Sequence, residues 1–260
     1  MAQEQRIEVD PQVKEQDRLD LHHEIFLHIL DGELHKAALD RPQCILDIGT
    51  DTGIWAVDMG DKYPMAEVLG TDLISIQPTW VPPNCQFELV LEGSPFNKDS
   101  LDFIRLAQDI SGWPKVMSEA YRCTKPEGWC IAMTGLWRKT TPSPYFHEAL
   151  AKIGRPFPLA ATLVGHPEKA CLKHVNVISY RHPYGPWPRD KRLNQIGTMA
   201  MLQAETGIGA YGMAAYTRIL GIEVETTQKI SRRHEEAGSA YVQRFKPDSG
   251  PRYGNCVLVF

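Results

Sequence analysis

The chain has 260 residues, 43% of them hydrophobic, with 28 Lys and Arg against 32 Asp and Glu for a formal charge of −4. That length suits one large domain with a sizeable core, and mild acidity without a long basic run argues against nucleic acid or an anionic membrane as a partner. Six cysteines (Cys44, Cys85, Cys123, Cys130, Cys171 and Cys256) are scattered with no CxxC pair, so a zinc framework is excluded and a reduced, cytoplasmic protein is expected.

Residues 1–18 are polar and charged and read as an N-terminal arm, leaving 19–260 as a single domain. From Leu19, the apolar residues Leu21, Ile25, Phe26, Ile29 and Leu30 recur at helical spacing, predicting a helix that stops near Asp31-Gly32. Ile45–Ile48 reads as a buried strand and Gly53–Asp61 as a helix. Further strands are predicted at 66–72, 85–91, 101–106 and 128–134, with a helix over Trp113–Tyr121. Strands alternating with helices imply crossover units and a mostly parallel sheet, an α/β fold. A helix at 145–155 and a strand at 175–180 follow. "HPYGPWPRD" (182–190) is a proline-rich turn, a helical pattern runs from 193 to about 240, and "NCVLVF" is a last strand. A helical lid or insertion over about 187–245 would roof the carboxyl edge of the sheet, where open α/β sheets bind ligands. No apolar run approaches the eighteen or so residues that span a bilayer.

The stretch "CILDIGTDTGIW" (44–55) has the form of a nucleotide loop. A strand runs into a turn with Gly49 and Gly53 and then into a helix, whose first N–H groups are free to meet a ligand. Asp72, at the end of the second strand, is placed to accept the two hydroxyls of a ribose. Together these features suggest an adenosyl ligand.

Nearly the whole chain from Leu19 resembles the fungal LaeA-like (UMTA or tam-type) class I methyltransferases. The resemblance is carried by "RLDLHHEIF", "ILDIGTDTGIWAVDMGDKYPMAEVLGTDL", "IQPTWVPPNCQFE", "YRCTKPEGW", "GPWPRDKRLNQIG" and "YTRILG". It implies a Rossmann-like fold of seven strands, mostly parallel, with a helical insertion before the last strand. It also implies an S-adenosylmethionine site at Gly49, Asp51, Gly53, Asp72, Val90 and Leu91. Three departures fall in that site. Asp51 stands where the family loop has its central glycine, Val90-Leu91 stand where the family has an acidic pair for the adenine amine, and "FIRLAQDISGW" is shorter than its counterpart. Glu127 replaces a further family glycine in a turn. An adenine amine left without an acceptor costs on the order of 1–3 kcal/mol, so the expectation is a vestigial or weak cofactor site. Asp51 is also a candidate cap for the helix that follows.

No Ser/His/Asp order and no metal-ligand cluster is present. His22 and His23 lie on the first helix, which the resemblance places against the ligand cleft. The candidate catalytic groups are His23, His182, Tyr184, Tyr216 and Arg218, and Trp137, Tyr180, Trp187 and Tyr211 are candidate walls of a substrate pocket, with His174 nearby in sequence. Aromatic residues at these spacings serve a core equally well. The reading is a cofactor-independent cyclase of fungal secondary metabolism. It would close a ring in a hydrophobic precursor by a Diels–Alder-type reaction, through orientation and one polarising hydrogen bond. The alternatives are an S-adenosylmethionine-dependent O- or N-methyltransferase and a non-catalytic partner protein.

Overall fold

The computed structural model describes residues 11–89, 96–106, 112–136, 144–153, 160–230 and 253–259. Helix α1 (Pro11–Ile29) leads into strand β1 (Cys44–Ile48), α2 (Ile54–Lys62), β2 (Glu67–Asp72), β3 (Cys85–Leu89) and β4 (Leu101–Leu106). Then come α3 (Trp113–Cys123), β5 (Thr124–Leu136), α4 (Pro144–Lys152), α5 (Ala160–Lys169), β6 (Val177–Pro183), α6 (Lys191–Ala214), a π-helical turn (Ala215–Ile219) and β7 (Tyr253–Val259). The seven strands form one sheet in the order β3-β2-β1-β4-β5-β7-β6. β1 pairs in parallel with β2 and β4, and β7 runs antiparallel to both β5 and β6. The Rossmann-like methyltransferase fold expected from the sequence is therefore present, with α6 inserted before the last strand.

Strand order reverses between β1 and β4, so a crevice opens at their carboxyl ends. β1 is central, and Ile45, Leu46 and Asp47 are buried there. One face of the sheet is covered by α1 and α2 with Ile196 and Ala200 of α6, and the other by Met117, Ala120 and Cys123 of α3. A third, smaller cluster joins Ala149 of α4 to Ala215 and Tyr216 of the π-helical turn.

Helix α1 begins at Pro11, eight residues before the expected start at Leu19. A proline in the first turn costs no helical hydrogen bond, and Gln16 in the added stretch donates to the Ile76 carbonyl at 2.8 Å. The C-terminus falls where the glycine predicts it. The Gly32 N–H donates to the Leu27 carbonyl at 2.7 Å, with Asp31 and Gly32 at φ 61° and 82°, a closure that needs the left-handed region. Strand β5 starts four residues early, at Thr124, because it changes register against β4 between Leu101 and Phe103. Glu127 sits at that irregularity with φ 66°.

The motif "GPWPRDKRLNQIG" is a clasp. Asp190 Oδ1 accepts the Leu193 N–H at the start of α6, and Asn194 donates to the carbonyls of Pro186 and Pro188 at 2.6 and 3.3 Å. The Gly185 N–H donates to the Gly197 carbonyl at 2.8 Å, and a Cβ on Gly197 would lie 2.2 Å from the Gly185 oxygen. That approach requires glycine. Arg192 donates to the carbonyls of His28 and Ile29 and pairs with Asp31, capping the end of α1. The clasp thus holds α1, α6 and the turn after β6 together.

Candidate functional site

At the carboxyl end of β1, the N–H groups of Gly49 and Thr50 both donate to the Thr71 carbonyl, at 2.8 and 3.0 Å. Gly49, Asp51 and Gly53 have φ of 75°, 53° and 80°. Asp51 therefore occupies the left-handed region in which a glycine is ordinarily favoured, and aspartate is among the few side chains that enter it at modest cost. The loop keeps its shape. Asp51 is exposed, its N–H donates to Asp72 Oδ2 at 2.9 Å, and its carbonyl accepts from Gln77 at 2.6 Å. The expected capping role fails, because Gly53 is the residue that precedes α2 and no side chain caps that end. Asp72 Oδ1 accepts the N–H groups of Leu73 and Ile74 at 2.7 and 3.1 Å. Three of the roughly four acceptor positions of its carboxylate are thus in use, leaving room for a ligand hydroxyl.

Beneath the loop lies an ion pair that sequence reasoning missed. The Asp47 side chain is fully buried. It accepts from Arg105 at 2.8 Å and from the Thr50 hydroxyl at 2.7 Å. The Arg105 guanidinium lies 4.8 Å from the centre of the Trp55 ring. An arginine in the apolar run "LDFIRL" was the available signal, since a charge in a buried strand must be paired.

Helix α1 covers this edge. The Thr52 hydroxyl donates to Asp20 at 2.6 Å and Gln16 donates to the Ile76 carbonyl at 2.8 Å. Of the two adjacent histidines, His23 is the structural one. It is buried with Nε2 2.8 Å from Asp58 Oδ2, tying α1 to α2. His22, one residue earlier and so turned to another face of the helix, meets α6. Gln203 donates to its Nδ1 at 2.6 Å, and its ring packs edge-on against Phe26 at 4.7 Å. Burial pulls the His22 pKa down to about 3 against the opposing pull of the Gln203 bond, and the charges of Arg18, Arg105 and His182 push the same way as burial. The imidazole is neutral at physiological pH.

His182 and Tyr184 also belong to this edge, with ring centres 5.2 Å apart. Burial lowers the His182 pKa against the opposing pull of a hydrogen bond to the Pro183 backbone. Burial drives the Tyr184 phenol well above its ordinary value. Tyr180 and Tyr184 pack, partly buried, against the cluster that contains α1, and Trp187 is half-buried in the clasp turn. Tyr216 is corrected to a core residue, 1% exposed against Ala149 and Ala215, and Arg218 on the same turn is exposed. Val90, Leu91 and Trp137 lie outside the described residues, as does the side chain of Tyr211. His174 is exposed at the opposite edge, beside a hollow of about 260 Å³ lined by Met117, Glu127, Trp129, Cys130 and Leu172. That hollow lies at the start of β5, far from the strands' carboxyl ends, and takes no part in the site. Among the described residues no cluster of three or more His, Cys, Asp or Glu could hold a metal, and no helix is long and apolar enough to cross a membrane.

A methyltransferase-domain family model matches residues 21–151. Methyltransferase pytC of Aspergillus terreus is 33% identical over 227 residues, spanning 80% of this chain and 70% of that protein. The secondary metabolism regulator LAE1 of Cochliobolus heterostrophus is 33% identical over 230 residues, spanning 79% and 75%. Among solved structures, a protein of Anabaena variabilis ATCC 29413 described as a methyltransferase of an antibiotic biosynthesis pathway superposes with a TM-score of 0.57 at 14% identity, covering 90% of this chain and 97% of that one. Geranyl diphosphate C-methyltransferase of Streptomyces coelicolor A3(2), solved with Mg2+, geranyl diphosphate and S-adenosyl-L-homocysteine, gives a TM-score of 0.51 at 13% identity, covering 95% and 81%. At such identities these two structures speak for the fold alone. By sequence and by fold, the chain belongs to the LaeA-like class I methyltransferase family of fungal secondary metabolism.

Proposed function

We propose that the protein is an S-adenosylmethionine-dependent methyltransferase of secondary metabolism, acting on oxygen or nitrogen of a small hydrophobic molecule. The observation that carries this reading is the loop at 49–53. It keeps three left-handed residues and its hydrogen bond to Asp72 despite the exchange of glycine for Asp51. The residues present fit the cofactor. Asp72 has acceptor capacity for a ribose hydroxyl, and the start of α2, with no side-chain cap, leaves N–H groups for the amino-acid part. Bound there, S-adenosylmethionine would supply an electrophilic methyl group. The chain itself contributes cover from water through α1 and orientation of the substrate from the clasp, the two effects on which a simple displacement most depends. Titration calorimetry with S-adenosylmethionine and its demethylated product tests the reading. Micromolar binding is expected, weakened at least about tenfold in Asp72→Ala, which loses a charge-assisted hydrogen bond.

Ring closure without a cofactor is the second reading. It draws support from the three backbone N–H groups that already engage Asp72 and from the partly buried His182 and Tyr184 at the end of β6. No heat with either adenosyl compound, together with cyclisation of a linear polyene precursor in their absence, would replace the first reading with this one.

A further inference from the structure

The ladder between β1 and β2 ends at Ile48 and Thr71, and the Thr71 carbonyl takes the last two N–H groups of the turn, those of Gly49 and Thr50. Beyond that point residue 51 is held at both ends of its backbone by side chains. Its N–H donates to Asp72 Oδ2 at 2.9 Å and its carbonyl accepts from Gln77 Nε2 at 2.6 Å. The same Gln77 nitrogen donates to the Ile74 carbonyl at 3.0 Å, and the Ile74 N–H donates to Asp72 Oδ1 at 3.1 Å. The four residues close a ring, from Asp51 to Asp72 to Ile74 to Gln77 and back to Asp51, which joins the glycine turn to the segment after β2. A side-chain amide nitrogen carries two N–H groups, and Gln77 places one on each segment. Helix α1 braces both sides: Gln16 donates to the carbonyl of Ile76, next to Gln77, and Asp20 accepts from Thr52, next to Asp51.

We propose that Gln77 is the positioning residue of the adenosyl site, fixing through this ring the gap between the glycine turn and the Asp72 carboxylate and hence the affinity for the ligand. The inference rests on reading the turn as the seat of S-adenosylmethionine and names what tunes its affinity. Asp51 stands at φ 53°, a sparsely populated conformation that persists only where the surroundings hold it. A ligand that must touch two segments binds more weakly in proportion to the time they spend wrongly spaced. Gln77 meets that requirement without touching the ligand, because it acts through the carbonyls of Asp51 and Ile74.

Amide hydrogen exchange of the ligand-free protein tests the ring, and titration with S-adenosylhomocysteine tests its consequence. Gln77→Leu removes both donors and should speed exchange of the Asp51 N–H at least about fivefold, leaving the Leu46 N–H of β1 unchanged. The same variant should weaken S-adenosylhomocysteine about tenfold, with a melting temperature close to that of the parent. Gln77→Lys, which returns N–H donors on a long stem, should bring both values back to within about threefold, a recovery that packing alone does not provide. Asp72→Ala opens the ring elsewhere, so adding Gln77→Leu to it should alter Asp51 exchange by less than about twofold. Unchanged Asp51 exchange in Gln77→Leu, equal affinity for S-adenosylhomocysteine, or no recovery in Gln77→Lys would each overturn the proposal. A parent protein that binds no adenosyl compound would remove methyl transfer and the claim on affinity together, whereas tight binding indifferent to Gln77→Leu would remove the role of Gln77 alone.

Discussion

The two edges of the sheet carry the same pair of devices in different surroundings. At the carboxyl edge, Asp51 replaces a family glycine at φ 53° and an Asp47–Arg105 pair lies beneath it. At the amino edge, Glu127 replaces another at φ 66°, and Lys125, two residues before it, pairs with Asp102 at 2.9 Å. What differs is burial. The Asp47 and Arg105 side chains are 0% and 13% exposed, those of Asp102 and Lys125 24% and 34%. An acidic residue in place of glycine is therefore accommodated by the backbone of either turn, with or without a ligand expected there. What separates the two turns is the buried charge beneath the first of them.

Substituting the cation of each pair would break or sharpen that contrast. Arg105→Met should cost about 3–5 kcal/mol by leaving Asp47 buried and unpaired. Lys125→Met should cost about 1 kcal/mol or less, since water reaches Asp102. Chemical denaturation of both variants checks the ranking, and equal losses would dissolve the distinction between the edges. Acid provides the next largest effect. His22 is held near a pKa of about 3 by burial, and His35 near about 4 by burial and then by Lys62. From pH 6.5 down to about 4 the unfolded chain binds protons that the folded chain refuses, so stability should fall as pH falls through that window. Asp102 acts lower. Burial opposes its ionisation, but the Lys125 ammonium and the N–H groups of Gln43 and Cys44 outweigh it and hold its carboxyl below the ordinary value. Its contribution is present above 3.8 and lost below. Melting temperatures at successive pH values should drop by several degrees before pH 4, and a flat profile across 6.5 to 4 would mean that the two imidazoles are not desolvated.

Strand and helix order were legible because a buried parallel strand such as Cys44–Ile48 and a helix closed by Asp31-Gly32 are local statements. The site was less so. "LHHE" offers two adjacent histidines with no local feature to separate them. One turns to Asp58 on α2 and the other to Gln203, 181 residues away on α6. Tyr216 reads as a catalytic candidate because an aromatic residue on a helix looks the same in a lid or in a core, and only the packing of α4 against it decides. Asp51 is hard to read for a different reason. The sequence shows the side chain that was added, whereas the backbone angle that accommodates it is visible only in three dimensions.

That angle supplies the smallest prediction. A left-handed conformation costs an ordinary L-residue about 1–2 kcal/mol, partly offset in a glycine variant by the larger entropy that glycine loses on folding. Glu127→Gly should therefore stabilise the protein by roughly 0.5–1 kcal/mol, visible as a rise of a few degrees in melting temperature. Asp51→Gly should give less, because aspartate enters this region more readily than glutamate. The same variant should change S-adenosylmethionine affinity by less than about threefold, since Asp51 meets Asp72 and Gln77 through its backbone N–H and carbonyl, which glycine keeps. A gain of tenfold or more would instead make the exposed carboxylate itself the obstacle to the cofactor, and the carboxyl-edge turn would no longer be equivalent to its counterpart at residue 127.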